Sequence, residues 1–397
     1  MTNNEEAIAL RKAHHGILTT ALKTDIKDAH DLAVVYTPGV AAPCLEIKKD
    51  EDLSLELTCR GNIVAVISDG TRVLGLGDIG AAAAIPVMEG KSAIYKKFAN
   101  IDAVPIVVNT KDPAEFIKTV QLLEKSFAGI NLEDISSPKC YEIEDTLKAT
   151  MDIPVFHDDQ HGTAIAALAA VLGGLRLVGK DLSEAKVVMN GAGAAGSAIA
   201  RLLWEAGARH LTVVDRAGIL YDDGKLNRIQ KELQEKTNPE NRKGSFRDAV
   251  TGADVLVGCS APGAFKAEDI RLMAEKNIVF AMANPVPEMM LDEAKEAGVF
   301  IFGTGRSDMP NQVNNSSVFP GLFRGALDVR ARQINEAMKL AAAHALAELL
   351  PEEELRPDHV VVSVFDPRVV PAVAKAVAKA AIETGVARVK ELPKQYK

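Results

Sequence analysis

This chain has no C-x-x-C pair, no run of 18 apolar uncharged residues, and no surplus of basic over acidic residues. Its four cysteines, Cys44, Cys59, Cys140 and Cys259, are scattered, which excludes a disulfide framework or a zinc ribbon and fits a reduced compartment. Without a long apolar run there is no sequence signal for a membrane-spanning helix. The N-terminus, MTNNEEAIALRKAHHG, mixes both charge signs and lacks the basic flank and apolar centre of a signal peptide. The expected location is cytoplasmic. Lys and Arg number 46 against 54 Asp and Glu, a net charge of −8. That balance speaks against nucleic acid or an anionic membrane as partner, so any anionic substrate must be held by local groups. No internal repeat or low-complexity linker is present.

What is there is an ordinary globular composition, 47% hydrophobic and 25% charged. The 397 residues exceed the roughly 250–300 at which one core stops growing, so two domains are expected. After a polar helical arm of about 30 residues and a turn at Tyr36-Thr37-Pro38-Gly39, β-branched runs alternate with helical patterns. Strands are predicted at 63–68, 104–108, 129–132 and 153–156. Helices are predicted at 81–99, broken near Gly90, and at 113–127. A second series comprises a long apolar helix over 163–178, strands at 186–190, 211–215, 255–258, 278–283 and 299–302, and a helix at 194–207. The polar stretch 222–245 reads as a surface excursion, and helices at 334–350 and 369–385 end the chain. Alternation of this kind predicts α/β domains with mostly parallel sheets. The boundary is expected where strand gives way to apolar helix, giving domains 1–158 and 159–397.

Two segments match G-x-G-x-x-G, at 75–80 and 191–196. The second, Gly191-Ala192-Gly193-Ala194-Ala195-Gly196, follows a strand and opens a helix, and the next strand ends at Asp215, 19 residues beyond Gly196. That is the pattern of a Rossmann-type site, with pyrophosphate on a helix N-terminus and a carboxylate on the adenosine ribose. Asp215 repels a 2′-phosphate and favours NAD, while Arg216 beside it keeps NADP open. The first segment lacks an acidic strand end at the right distance. It is either a close approach to a ligand or a structural turn.

Glu133-Asp134 and Asp158-Asp159 each follow a predicted strand. Ligands of parallel sheets bind beyond the carboxyl ends of strands, so these acids could share one crevice and offer hard oxygen ligands to Mg²⁺ or Mn²⁺. Spacing equally allows them to be helix caps. His157 and His161 are four apart, but Asp158 stands where a zincin carries Glu and a strand precedes, so zinc is not expected.

The segments YTPGV (36–40), DGTRVLGLGDIG (69–80), PVMEGK (86–91), LEDI (132–135), FHDDQHGTA (156–164), GAGAAG (191–196), ANPVPE (283–288) and NNSSVFPG (314–321) together resemble the short, bacterial-type malic enzymes. The resemblance implies an N-terminal α/β catalytic domain, a C-terminal Rossmann-type domain with a helical tail, and a homodimer. It implies oxidative decarboxylation of L-malate to pyruvate with NAD or NADP and Mg²⁺ or Mn²⁺. Lys91 and Tyr36 match the family's catalytic lysine and tyrosine, and Glu133, Asp134 and Asp159 its metal ligands, with Asp158 supporting them. Arg72 matches the arginine on the substrate carboxylate, and Asn284 and Asn315 match asparagines near substrate and nicotinamide. A lysine near a cation and an arginine is expected to have a lowered pKa, suiting a base. HDDQHG departs from the longer eukaryotic-type motif, so those enzymes' allosteric sites do not carry over. The alternative function is malolactic conversion of malate to lactate on bound NAD. A metal-free dehydrogenase or a non-catalytic NAD sensor would not need Lys91, Tyr36 and the three acids together.

Overall fold

The β-branched runs pair into two sheets in the computed structural model, which describes residues 2–73 and 75–396. The first sheet contains β1 (Ile63–Ser68), β2 (Asp102–Val107), β3 (Gly129–Leu132) and β4 (Val155–His157) in the order β2-β1-β3-β4, all parallel. The second contains β5 (Lys186–Asn190), β6 (His210–Asp215), β7 (Gly218–Ile219), β8 (Val255–Gly258), β9 (Ile278–Ala281) and β10 (Ile301–Thr304). Its order is β10-β9-β8-β5-β6-β7, parallel except for β7. β1, β3, β8 and β9 are buried almost throughout, which is why they read as continuous apolar runs without alternation. This is the α/β, two-sheet architecture expected from the sequence.

Helix Asp158–Val178 lies between the sheets. It begins five residues before the apolar pattern does, because Asp158 and Asp159 in its first turn favour the positive end of the helix dipole. It ends at Gly179, whose φ of 69° is the left-handed cap that glycine supplies. By length and composition this helix could cross a membrane, but 67% of its most apolar stretch is buried inside the fold. One apolar cluster runs from Val64 and Val66 of β1 through this helix to Val187 and Met189 of β5. The rings of Tyr95, Phe156, Phe319 and Phe323 meet within it, with Tyr95 and Phe319 4.6 Å apart. Each such buried side chain contributes roughly 1.5–3 kcal/mol, so the two sheets share a core.

Three expectations are corrected. Helix Ala81–Ala99 runs unbroken through Gly90, since isolated glycine costs a helix only about 1 kcal/mol and the packing of Met88, Ser92 and Tyr95 outweighs it. The excursion at 222–245 contains helix Arg228–Thr237, capped by Asn227 and seated by buried Ile229 and Leu233. The N-terminal arm is two separate helices, Asn3–His14 and Ala29–Val35, and neither buries a residue.

Candidate active site

The carboxyl ends of β1, β3 and β4 open on one side of the first sheet, and the chain turns there through polar residues. Glu133 and Asp134 leave β3; Asp158 and Asp159 leave β4 as the helix starts. Ligand oxygens of Glu133, Asp134 and Asp159 lie within 4.8 Å of one another. Asp159 Oδ2 accepts from the Asp134 backbone N–H at 2.8 Å, fastening the two strand ends together. Burial and the neighbouring Asp159 raise the Glu133 carboxyl well above the usual carboxylate range, with Lys91 opposing them. Three like charges at this spacing repel one another unless a cation lies between them. Oxygen donors alone, two of them buried, fit Mg²⁺ or Mn²⁺.

Lys91 projects from the middle of helix Ala81–Ala99 into this cluster and is 8% exposed. Its Nζ donates to Glu133 and, at 2.5 Å, to Asp158 Oδ2, and it stands 4.9 Å from the centre of the Phe319 ring. Burial disfavours the ammonium, but Asp158, Glu133 and Asp159 outweigh it and hold Lys91 above the ordinary lysine range. The lysine's direct partners are carboxylates, whereas the lowering expected from the sequence is that of a lysine beside a divalent cation. Asp158 is fully buried, and its Oδ2 also accepts from Asn315 Nδ2 at 2.6 Å. Gly162, one turn on, leaves room for this carboxylate, since a Cβ there would sit 1.8 Å from Asp158 Oδ1. Asn131 supports Glu133 with its Nδ2 at 3.0 Å and accepts from Tyr95 Oη at 2.9 Å.

The loop after β1 closes one wall. Asp69 accepts from Thr71 and from Lys139, and the Arg72 backbone N–H donates to the Asp134 carbonyl at 3.0 Å. The Arg72 side chain is exposed. Its charge reaches the second domain: burial raises the Cys259 thiol at the end of β8, and Arg72 opposes the rise. The glycine loop 75–80 packs across the same gap, because a Cβ on Gly75 would meet Pro285 at 2.9 Å and the Asn284 carbonyl at 3.8 Å. Buried Glu288 accepts from the backbone N–H groups of Ser260 at 2.7 Å and Ala283 at 2.9 Å, so the Asn284 loop is tied to the end of β8.

The second glycine motif joins β5 to helix Ala194–Glu205. Gly191 has φ 110°, and a Cβ on it would meet the Cys259 carbonyl at 2.5 Å; one on Gly196 would meet the Gly191 carbonyl at 1.9 Å. Both must be glycine for turn and helix to pack. Gly193 meets nothing, so its face stays open for backbone approach by a phosphate. Asp215 ends β6, the strand beside β5, and its Oδ1 accepts from the Arg216 N–H at 2.8 Å. Glu133, Asp134, Asp159, Lys91, Asp158 and Asn315 are thus brought together, and Arg72 and Asn284 border the gap between domains. Tyr36 is not among them. It closes helix Ala29–Val35 with 66% of its surface exposed and makes no side-chain hydrogen bond among the described residues.

Two family profiles match the chain: "Malic enzyme, N-terminal domain" over residues 13–148 and "Malic enzyme, NAD binding domain" over 160–382. The chain belongs to the malic enzyme family. Among its relatives, the bifunctional malic/malolactic enzyme of Bacillus subtilis is 51% identical over the whole chain and 97% of that protein. The NAD-dependent malic enzyme of Geobacillus stearothermophilus is 52% identical over 95% of the chain and 79% of its own length. The NADP-dependent malic enzyme of Escherichia coli is 48% identical over 90% of the chain but only 49% of its own length. The crystal structure of the Pyrococcus horikoshii malic enzyme superposes with a TM-score of 0.94 at 45% identity, over 98% of this chain and 93% of that one.

Proposed function

We propose that this family member oxidatively decarboxylates L-malate to pyruvate and CO₂ with reduction of NAD or NADP, using Mg²⁺ or Mn²⁺. The observation that carries this reading is the meeting of Glu133, Asp134 and Asp159, from two strand ends, beside the buried Lys91. Glu133, Asp134 and Asp159 would hold the metal, which supplies Lewis-acid stabilisation of charge on the substrate oxygens when bound. The turn Gly191–Gly196, with Asp215 for the ribose, would hold the dinucleotide, which supplies the hydride acceptor. Arg72 grips a malate carboxylate, and Asn284 and Asn315 border the substrate and nicotinamide.

Lys91 receives the proton of the C2 hydroxyl. To act as a base it must first give up its own proton, and Asp158 Oδ2, 2.5 Å away, is positioned to share it. Burial raises the Asp158 carboxyl, with Lys91 pulling the other way, and Asp158 is the neighbour placed to take that proton. Tyr36 is the proton donor to C3 after CO₂ departs, a phenol O–H being able to act as a general acid. Its arm carries exposed Leu10, Leu22, Leu32, Val34, Leu45 and Leu57, an apolar stretch that suits burial against a second copy, so the working form is a homodimer. The profile matches leave a gap at 149–159, which supports a division between residues 158 and 159. A cytoplasmic location is in keeping with scattered, unpaired cysteines.

The test is purified protein with L-malate, Mn²⁺ and either NAD or NADP in separate reactions. Reduced cofactor and pyruvate in equal amounts support the proposal; turnover that survives exhaustive EDTA treatment refutes the metal's part in it. The Bacillus subtilis relative's name includes malolactic activity, which makes lactate the second reading. Lactate without net cofactor reduction would establish it.

A further inference from the structure

Against the acidic turn lies a line of buried polar groups that the proposed chemistry does not use. Glu144, on helix Lys139–Thr150, is 3% exposed. It accepts from the His157 backbone N–H at 3.3 Å, Gln160 Nε2 at 3.4 Å and His161 Nε2 at 3.0 Å, and pairs with Lys148 at 2.5 Å. Its partners at 157, 160 and 161 bracket Asp158 and Asp159, so one carboxylate grips the turn from both ends.

His161 carries the line onward. Its Nδ1 lies 3.0 Å from Lys339 Nζ, which can only donate to it. A neutral imidazole accepts at one nitrogen, so Nε2 bears the proton and donates to Glu144, and the 3.4 Å approach of Lys148 to Nε2 is not a bond. Lys339 is 2% exposed and held by Glu336 at 2.8 Å on the same helix, Glu336–Ala347. That helix packs on helix Asp158–Val178 from the C-terminal part of the chain. The cavity that Lys339 lines with Gln160, His161, Ser197 and Arg201 holds about 20 Å³, room for one water and not for a metabolite.

We infer that Lys339 is a positioning residue: through His161 and Glu144 it braces the turn that presents Asp158 and Asp159, tying their placement to the C-terminal helix. The inference rests on the proposed metal site, and groups that orient ligands from behind typically change metal affinity 10- to 100-fold when removed. Lys339→Met removes the donor with little change of length, and its partner Glu336, 58% exposed at the side chain, is left to water. Mn²⁺ titration followed by electron paramagnetic resonance, without malate, is expected to give about tenfold weaker binding in Lys339→Met and a larger loss in Glu144→Gln. NAD affinity should stay within about twofold. Hydrogen exchange of the full-length protein should quicken about tenfold across 157–161, the effect of one lost charge-assisted hydrogen bond, and stay unchanged in β5 and β8. Faster exchange everywhere would make Lys339 a general stabiliser and overturn the inference, as would parent-like exchange at 157–161 in both variants. Parent-like Mn²⁺ affinity in both variants would overturn it as well. If the parent itself binds no Mn²⁺, the metal assignment fails, and the exchange measurement alone decides for or against the brace.

Discussion

Replacing Gly162 with alanine sets two effects of known size against each other. Helix propensity favours the change by about 1 kcal/mol. Opposing it, the new Cβ would stand 1.8 Å from Asp158 Oδ1, and contacts below 3.0 Å do not occur, so the carboxylate must retreat by more than 1 Å. It has nowhere to go without loss: it is fully buried, and Oδ2 is held at 2.5 Å by Lys91 and 2.6 Å by Asn315. A retreat of that size stretches both bonds beyond hydrogen-bonding range. Overpacking costs about 1–3 kcal/mol, and a lost charge-assisted hydrogen bond about 1.5–3 kcal/mol. The net expectation is destabilisation on the order of 5 kcal/mol, with turnover reduced at least about a hundredfold because Lys91 loses its proton partner. Gly90→Ala is the matched control. It lies in helix Ala81–Ala99 with no atom within 4 Å of the place its new Cβ would take, so propensity acts alone and should stabilise by up to about 1 kcal/mol. Urea unfolding and kcat for the two variants read the difference. A Gly162→Ala protein that gains stability as Gly90→Ala does and keeps parental turnover would refute the reasoning.

Lys91→Ala is expected to lower kcat by about 10²–10⁴-fold with NAD binding retained by fluorescence titration; near-normal kcat would remove it from the base role. Asp215→Ala should weaken discrimination against NADP by about tenfold, the effect of removing one carboxylate–phosphate repulsion of about 1.4 kcal/mol, and an unchanged ratio of kcat/KM values would move cofactor choice elsewhere. Burial, with Lys148 nearby, pushes Lys339 down from 10.5 to about 8. Between those values the unfolded chain keeps a proton that the folded chain has lost, so stability rises with pH there. The penalty of burying this charge is full below pH 8 and gone above 10.5. The stability of the parent relative to Lys339→Met should therefore rise by about 3 kcal/mol between about pH 7.5 and about pH 10.5, and a pH-independent difference in urea unfolding would contradict it.

Local pattern carried the sequence a long way because strands and helices are short-range structures. Runs such as IVAVIS and KVVMN are continuous in apolar character because both faces are buried, and their strand ends came out to the residue. The glycine motif at 191–196 was legible from its context, strand before and helix after, because the backbone itself forms that turn. Local reading failed where a distant partner decided the outcome. Gly90 reads as a break, yet the helix continues because its other residues are anchored in the core. Ile229 and Leu233 stand among polar residues, and the helix they seat was invisible until their packing surface existed.

The site divides along the same line. Local pattern offered residues able to bind a cation or seat a phosphate, since those capacities belong to side chain and backbone, while only the family resemblance singled out Lys91 and Tyr36 as the ones to move a proton. Only the tertiary structure decided that β3 and β4 lie side by side, which joins Glu133 and Asp134 to Asp159 across 25 residues of chain. It alone showed that Glu133 and Asp158 face Lys91, and a lysine's proton affinity is set by whichever charges face it after folding. It alone showed why residue 162 has no side chain and why Lys339, 178 residues from its histidine, bears on an acidic turn. Electrostatics and packing act through space, and spatial neighbours so far apart in the chain leave no periodicity to read.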